Sequence, residues 1–165
     1  MSTQLISHCH QTLADFYLLY SDTQMAHWNV TGPQFSALHA LFQTHYEDLE
    51  TSIDDLAEHI RTLGTSVNGG IRRYATQSSL KEIPVTEDAT QILKHLCHNH
   101  RQVIDSINQT LQAAQSAGHE VLIDFMIDRL AFHEKALWML QSSLPQHTLK
   151  SMNHRNQDDD HAHTG

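Results

Sequence analysis

The sequence contains few of the residues that interrupt helices or build disulfide frameworks. It has 3 prolines, 6 glycines and 2 cysteines among 165 residues. So few Pro and Gly favour long helices, and the single pair Cys9 and Cys97 gives no recognisable disulfide framework. No apolar run is long enough to span a bilayer, and the N-terminus lacks the basic segment and apolar stretch of a secretion signal. We therefore expect a soluble, cytoplasmic, all-α protein with free thiols and no membrane association.

Positive charge is also scarce. The chain has 10 Lys and Arg against 19 Asp and Glu, a formal charge of −9 with His neutral. Nucleic-acid binding relies on Lys and Arg to neutralise phosphates, yet residues 1–11 contain neither, and Lys150 and Arg155 are outnumbered by the aspartates of 158–160. We expect no DNA binding at neutral pH. Because 15 histidines begin to charge at about pH 6, any binding of a polyanion should depend on pH.

Helical periodicity divides the chain into four long segments. They span about 4–29, 33–63, 86–117 and 119–144, which predicts one four-helix bundle within a domain of residues 1–145. The connection 64–85 is too long for a hairpin and suits a crossover between helices two and three, with a short extra helix near 79–82. Residues 146–165, rich in His and Asp, are predicted to form a flexible tail.

An apolar stripe runs along the second predicted helix. Its members recur at three- and four-residue steps, the spacing of one helix face, and we predict that this face packs in the core. A rotation of about 100° per residue places His39, Asp54 and Glu58 beside the stripe rather than on it. The stripe consists of Leu38, Phe42, Tyr46, Leu49, Ile53, Leu56, Ile60 and Leu63.

The flanking residues are of types that bind metal ions. Asp54 and Glu58 lie one turn apart, and His27 can approach His39 because the chain turns between them. His39 and Asp54 are separated by about 22 Å of helix axis, whereas the ligands of one ion lie roughly 2 Å from it. The spacing therefore predicts two half-sites that meet across a two-fold axis between chains. The alternative is that these are ordinary solvated residues and that His27 is a core histidine.

Two stretches of the sequence resemble the Dps family, the DNA-binding proteins from starved cells. The resemblance covers most of residues 5–145. It implies a ferritin-like four-helix subunit that assembles into a hollow dodecamer, oxidises Fe(II), typically with hydrogen peroxide, stores the ferric mineral inside, and so protects against oxidative stress. The matching residues are Ala26-His27-Trp28-Asn29-Val30-Thr31-Gly32, Phe35, Leu38-His39, Asp54, Ala57-Glu58, Leu63-Gly64, Asp128-Arg129, His133-Glu134-Lys135 and Trp138-Met139-Leu140.

The resemblance also implies roles for individual residues. His27 and His39 would come from one subunit and Asp54 and Glu58 from its two-fold mate, so that the site is an inter-subunit ferroxidase centre for up to two irons. Glu58 would bridge the irons, with zinc or another divalent metal as a possible substitute. Trp28 would lie near the site, either as an oxidisable indole or as a packing residue.

Gln43 departs from the family pattern. Dps proteins usually have an acidic ligand four residues after the second histidine, and here that position is Gln43. A neutral amide oxygen is a weaker iron ligand than a carboxylate, so the second iron position is predicted to be weakened. Glu47, one turn further, either compensates or is an ordinary solvated glutamate.

An acidic row occupies the last predicted helix. Glu120, Asp124 and Asp128 follow one another at four-residue steps. Around a three-fold axis they would line a negative pore that concentrates Fe(II), and otherwise they form an ordinary acidic face. The histidine-rich segments 8–10 and 95–100 lack the ligand spacing of structural zinc sites, so we predict at most adventitious metal binding there.

Three alternative functions remain open from the sequence. The first is nucleoid compaction, which the shortage of Lys and Arg opposes. The second is an ordinary ferritin or di-iron enzyme, whose sites need Glu-x-x-His pairs, and this chain has no Glu-x-x-His. The third is a metal-storing shell whose ferroxidase activity is weakened by Gln43.

Overall fold

The computed structural model describes residues 3–145, which form four long helices and one short one. The predicted tail 146–165 lies outside the described residues. Helix α1 packs against α2 and α4, α4 packs against α5, and a smaller contact between α2 and α5 closes the four-helix bundle. None of the described helices is long and apolar enough to cross a membrane. The helices are α1 (Thr3–Asn29), α2 (Phe35–Thr62), α3 (Ile71–Gln77), α4 (Ala89–Ala117) and α5 (Glu120–Ser142).

Local sequence signals set the ends of the long helices. Asp88 caps the N-terminus of α4, where its side chain accepts a hydrogen bond from the backbone N–H of Gln91, and Gly118 caps the C-terminus in the left-handed conformation, with φ of 65°. Helix α2 begins two residues later than predicted because Pro33 and Gln34 lie in a turn before it. Helix α4 begins three residues later than predicted, at the first residue after its cap.

The core contains the predicted stripe of α2 with one exception. Leu38, Phe42 and Leu49 are fully or almost fully buried, as expected. Tyr46 is only half-buried, whereas its neighbour His45 is buried. Helix α2 is therefore rotated slightly further towards α4 and α5 at this point than the apolar pattern alone suggests.

The crossover between α2 and α4 contains a short helix, but not where we predicted it. Residues 79–82 are irregular, and the helix is α3 at Ile71–Gln77. The prediction was wrong because Ser78 and Ser79 bind a carboxylate instead of beginning a helix. Asp15 accepts hydrogen bonds from the Ser78 hydroxyl and the Ser79 backbone N–H, both at 2.7 Å. A buried residue of α1 thus fixes the path of the crossover.

A second buried carboxylate of α1 joins this helix to α4. Asp22 is buried and accepts a hydrogen bond of 2.8 Å from the Asn99 side-chain amide of α4. Burial raises the pKa of Asp22 from its usual value to about 7.

Between α2 and α5, Arg129 forms an ion pair with Asp48 and donates to the Ser52 hydroxyl.

Candidate metal centre

His27 and His39 are held together by two reciprocal hydrogen bonds. His27 lies in the last turn of α1 and His39 in the second turn of α2, on either side of a short connection. The Nδ1–H of His27 donates to the carbonyl of His39 at 2.7 Å, and the Nδ1–H of His39 donates to the carbonyl of His27 at 2.9 Å. The carbonyl of His27 is available because carbonyls in a last helical turn have no partner in their own helix.

These two hydrogen bonds fix which ring nitrogen faces the backbone. A carbonyl oxygen can only accept, so Nδ1 of each histidine carries a proton, and Nε2 is the nitrogen left to bind a metal ion. The rings stack with their centroids 3.7 Å apart. Imidazoles that bind metals commonly donate their other N–H to a carbonyl in this way. His27 and His39 are therefore preorganised as a pair of nitrogen ligands.

Aromatic side chains enclose this histidine pair. The Tyr46 ring stands nearly perpendicular to His27 with its centroid 5.3 Å away, and the Phe35 ring lies 5.1 Å from His39. His27 is buried and His39 is half-buried. Packing against these rings restricts the imidazoles to one orientation. Trp28 follows His27 directly but is 67% exposed in the single chain.

Asp54 and Glu58 lie elsewhere on the subunit. Both are exposed and one turn apart on α2, and Asp54 lines a surface groove with Tyr17, Tyr20 and Glu50. The rise of α2 between His39 and Asp54 amounts to about 22 Å. Within residues 3–145, no three or more His, Cys, Asp or Glu side chains are grouped so that they could hold a metal ion. One subunit therefore presents a histidine pair and a carboxylate pair at separate places.

Gln43 lies between these two pairs, one turn after His39. Its side-chain amide nitrogen donates a hydrogen bond of 2.7 Å to a carboxylate oxygen of Glu47. Both side chains are exposed, and the amide oxygen of Gln43 has no partner among the described hydrogen bonds. The position where the family has a carboxylate therefore presents a neutral oxygen with the charge of Glu47 one turn away.

A cluster of three histidines in the bundle core was not predicted from the sequence. His100 and His133 are fully buried and His45 is nearly so. Nδ1 of His100 and Nδ1 of His133 share one hydrogen bond of 3.1 Å, while Nε2 of both and Nδ1 of His45 have no partner. Burial lowers the pKa of all three, to about 4 for His45 and about 3 for His100. These histidines are therefore neutral at physiological pH.

A sequence signal for part of this cluster existed. His45 falls three residues after Phe42 and four before Leu49, in the register of the apolar stripe, so its burial could have been predicted from periodicity. The prediction of at most adventitious metal binding at the histidine-rich segments 8–10 and 95–100 stays a prediction. The side chain of His10 joins α1 to the crossover by accepting from the backbone N–H of Asn68 at 3.1 Å. Cys9 and Cys97 are buried free thiols.

The acidic residues of α5 are all exposed. Glu120 lies in the first turn, and Asp124 and Asp128 follow along the same face. This exposure is compatible with a pore lining and equally with an ordinary acidic surface. Their role stays a prediction.

Comparison with known proteins identifies the family. A family model described as a ferritin-like domain matches residues 6–148. A DNA protection during starvation protein from Porphyromonas gingivalis is 32% identical over 130 residues, 79% of this chain and 82% of the relative. An uncharacterized low temperature-induced protein from Nostoc is 36% identical over 146 residues, 84% of this chain and 78% of the relative.

A solved structure agrees with these relatives. The crystal structure of the Dps protein from Vibrio cholerae, described as a member of a broad superfamily of ferritin-like diiron-carboxylate proteins, is similar with a TM-score of 0.80 and 30% identity. The match covers 84% of this chain and 87% of that one. The chain belongs to the Dps family of ferritin-like proteins.

Proposed function

We propose that this protein oxidises Fe(II) with hydrogen peroxide at sites shared between two subunits, and stores the ferric product inside a hollow dodecamer. Membership of the family points to iron storage and protection, and the protein would protect its cell by consuming both Fe(II) and peroxide. Iron is the substrate and cargo of this reaction rather than a resident cofactor.

The observation that carries the proposal is the division of the ligands into two complementary pairs. One surface of the subunit presents two imidazole nitrogens, and another presents two carboxylates about 22 Å further along α2. Neither pair holds a cation well alone. A two-fold axis that brings the His27–His39 pair of one subunit onto the Asp54–Glu58 pair of another would complete a set of nitrogen and oxygen ligands.

That ligand set suits iron in both oxidation states. Imidazole and carboxylate both bind Fe(II), and carboxylates also stabilise the harder Fe(III). In the proposed site Glu58 bridges two irons, Asp54 and His27 hold the first, and His39 helps to hold the second. Gln43 offers the second iron only a neutral oxygen. The first iron position therefore has strong ligands, whereas the second has fewer and weaker ones.

The surface of the single chain supports assembly into a larger particle. Several large apolar side chains are exposed in the single chain, among them Trp28 at 67% and Trp138 at 63%. Subunit contacts would cover such side chains. In the assembled shell, the acidic row on α5 would attract Fe(II) towards a pore at a three-fold axis.

Stopped-flow measurement of Fe(II) oxidation tests the proposal. We expect His39→Ala to slow peroxide-driven oxidation at least about tenfold, because loss of a metal ligand weakens iron binding at least as much as loss of a supporting contact. His98→Ala is the matched control, since His98 is an exposed histidine on α4. Equal rates for wild type and His39→Ala, with both proteins assembled, would exclude a ferroxidase function at this site.

A second candidate is a storage shell with weakened catalysis, which the Gln43–Glu47 hydrogen bond favours. In such a shell the wild type would bind and retain iron but oxidise it no faster than the His39→Ala variant. The same stopped-flow series, followed by measurement of retained iron, separates the two candidates.

A further inference from the structure

All four tyrosines of the sequence belong to one continuous series that starts beside the histidine pair. The Tyr46 ring lies 5.3 Å from His27, and the Tyr20 ring lies 6.2 Å from Tyr46 in an edge-to-face arrangement. Tyr17 is one helical turn before Tyr20 on α1 and stacks on Tyr74 of α3 at 4.0 Å. Tyrosine is the side chain that, with tryptophan, most readily gives up one electron. The series therefore runs through oxidisable rings from the histidine half-site to the buried Tyr74 of α3.

The series also passes the carboxylate half-site. Tyr17 and Tyr20 line the groove that contains Asp54 and Glu50. Burial, together with the negative charge of Glu50, raises the pKa of Tyr20, and its hydroxyl oxygen accepts a hydrogen bond of 2.9 Å from the Gln24 amide. The edge-to-face contact between Tyr46 and Tyr20 gives an oxidising equivalent formed at Tyr46 a neighbouring ring to move to.

The weak second iron position creates a need for such an electron donor. Reduction of peroxide to water and hydroxide takes two electrons, but a single Fe(II) supplies only one. When only the first position is filled, one-electron reduction of peroxide by Fe(II) releases a hydroxyl radical. A nearby donor of the second electron prevents that release.

We propose that Tyr46 donates the second electron when peroxide reacts with a site that holds one iron, and that Tyr20 then accepts the oxidising equivalent from it. The proposal rests on the ferroxidase function proposed above. Fe(II), the Tyr46 phenol and H2O2 give Fe(III), a neutral tyrosyl radical, H2O and OH−. The O–O bond breaks, Fe(II) and the phenol each lose one electron, and the phenol proton combines with one of the two hydroxides formed.

The next Fe(II) that reaches the site restores the tyrosine. It reduces the tyrosyl radical, which takes up one proton and becomes a phenol again, and the iron becomes Fe(III). Over both steps two Fe(II) are oxidised for each peroxide consumed. The two irons need not be bound at the same time, which is the advantage of the relay for a site with Gln43 at the second position.

Freeze-quench electron paramagnetic resonance on the assembled, iron-free protein tests the relay. One Fe(II) per site is bound anaerobically, one equivalent of H2O2 is added, and the sample is frozen within milliseconds. We expect a tyrosyl radical in wild type whose hyperfine structure collapses when the protein carries ring-deuterated tyrosine. In the same reaction, a spin trap should capture little hydroxyl radical.

Two variants and one control make this test specific. Tyr46→Phe keeps the ring but not the oxidisable hydroxyl, so the early radical should disappear and trapped hydroxyl radical should rise severalfold. Gln43→Asp should lower the radical yield, because a better-held second iron supplies the second electron. Tyr74→Phe removes an equally oxidisable hydroxyl that lies beyond Tyr20 and contacts neither histidine, and it should leave the early radical yield unchanged.

The outcomes distinguish failure of the relay from failure of the ferroxidase proposal. Peroxide-dependent formation of Fe(III) without any tyrosyl radical, or with a radical that is insensitive to tyrosine deuteration and belongs to Trp28, would overturn the relay alone. A radical that persists unchanged in Tyr46→Phe would do the same. If peroxide produced no Fe(III) beyond the His39→Ala background, the ferroxidase function and the relay would both be rejected.

Discussion

Mixing two inactive variants should restore a defined fraction of the activity. One variant carries His27→Ala with His39→Ala and keeps its carboxylates, and the other carries Asp54→Ala with Glu58→Ala and keeps its histidines. Alone, neither assembled variant should oxidise Fe(II) above background. Because the two pairs are too far apart within one chain to share an ion, activity depends on which variants meet at each two-fold axis.

The expected fraction follows from counting subunit pairs. If equal amounts are unfolded, mixed and reassembled at random, about one half of the two-fold pairs contain one subunit of each kind. Each such mixed pair has one site with all four ligands and one site with none. About one quarter of all sites should therefore be intact, and the initial oxidation rate per subunit should reach about one quarter of the wild-type rate.

Stopped-flow absorbance of Fe(III) formation measures this fraction, and native mass spectrometry of differently tagged subunits confirms the mixing. A mixture of the same two variants assembled separately is the control and should stay inactive. Random mixing without any recovery of activity would refute the division of the site between subunits. Activity in either double variant alone would refute the assignment of the ligands.

Three further predictions concern charge and pH. Gln43→Asp should tighten binding of the second Fe(II) and raise the oxidation rate several-fold, which anaerobic titration and stopped-flow kinetics would detect; an unchanged titration end-point would show that Glu47 already supplies the missing ligand. A DNA gel shift should be absent at pH 8 in moderate salt and appear, if at all, only at about pH 6, where histidines charge; retardation at pH 8 would contradict the charge argument. The raised pKa of Asp22, about 7, means that its protonated form favours the folded state, so its contribution to stability is complete below its ordinary pKa and is lost as pH rises through about 7. Thermal unfolding should therefore show that Asp22→Asn gains more stability over wild type at pH 8 than at pH 5, and a difference independent of pH would refute this account.

The helix boundaries and the two half-sites illustrate what the sequence could predict. Four long helices followed from periodicity, because this signal is local. The separation of His39 from Asp54 followed from helix geometry alone. The short helix of the crossover did not follow, because its position depends on Asp15 of a distant helix, which binds Ser78 and Ser79. Contacts between segments far apart in sequence leave no local signal.

Register within a helix was predicted less well than the helix itself. The apolar pattern placed Tyr46 in the core and ignored His45, whereas the structure buries His45 and leaves Tyr46 beside His27. A polar residue in a core register is easily overlooked because most such residues are solvated. His45 is buried because His100 and His133 of two other helices lie beside it, and that arrangement is visible only in three dimensions.

The buried histidines make the bundle sensitive to acid. His100 and His133 are neutral inside the protein, but in an unfolded chain both would take up a proton as the pH falls below their ordinary pKa. Once it falls well below about 6.5, two additional protons bound by the unfolded state reduce the free energy of unfolding by about 3 kcal/mol for each pH unit. A subunit that folds stably at neutral pH would therefore lose its structure steeply in moderately acidic solution. A shell built from such subunits would open there and release its mineral.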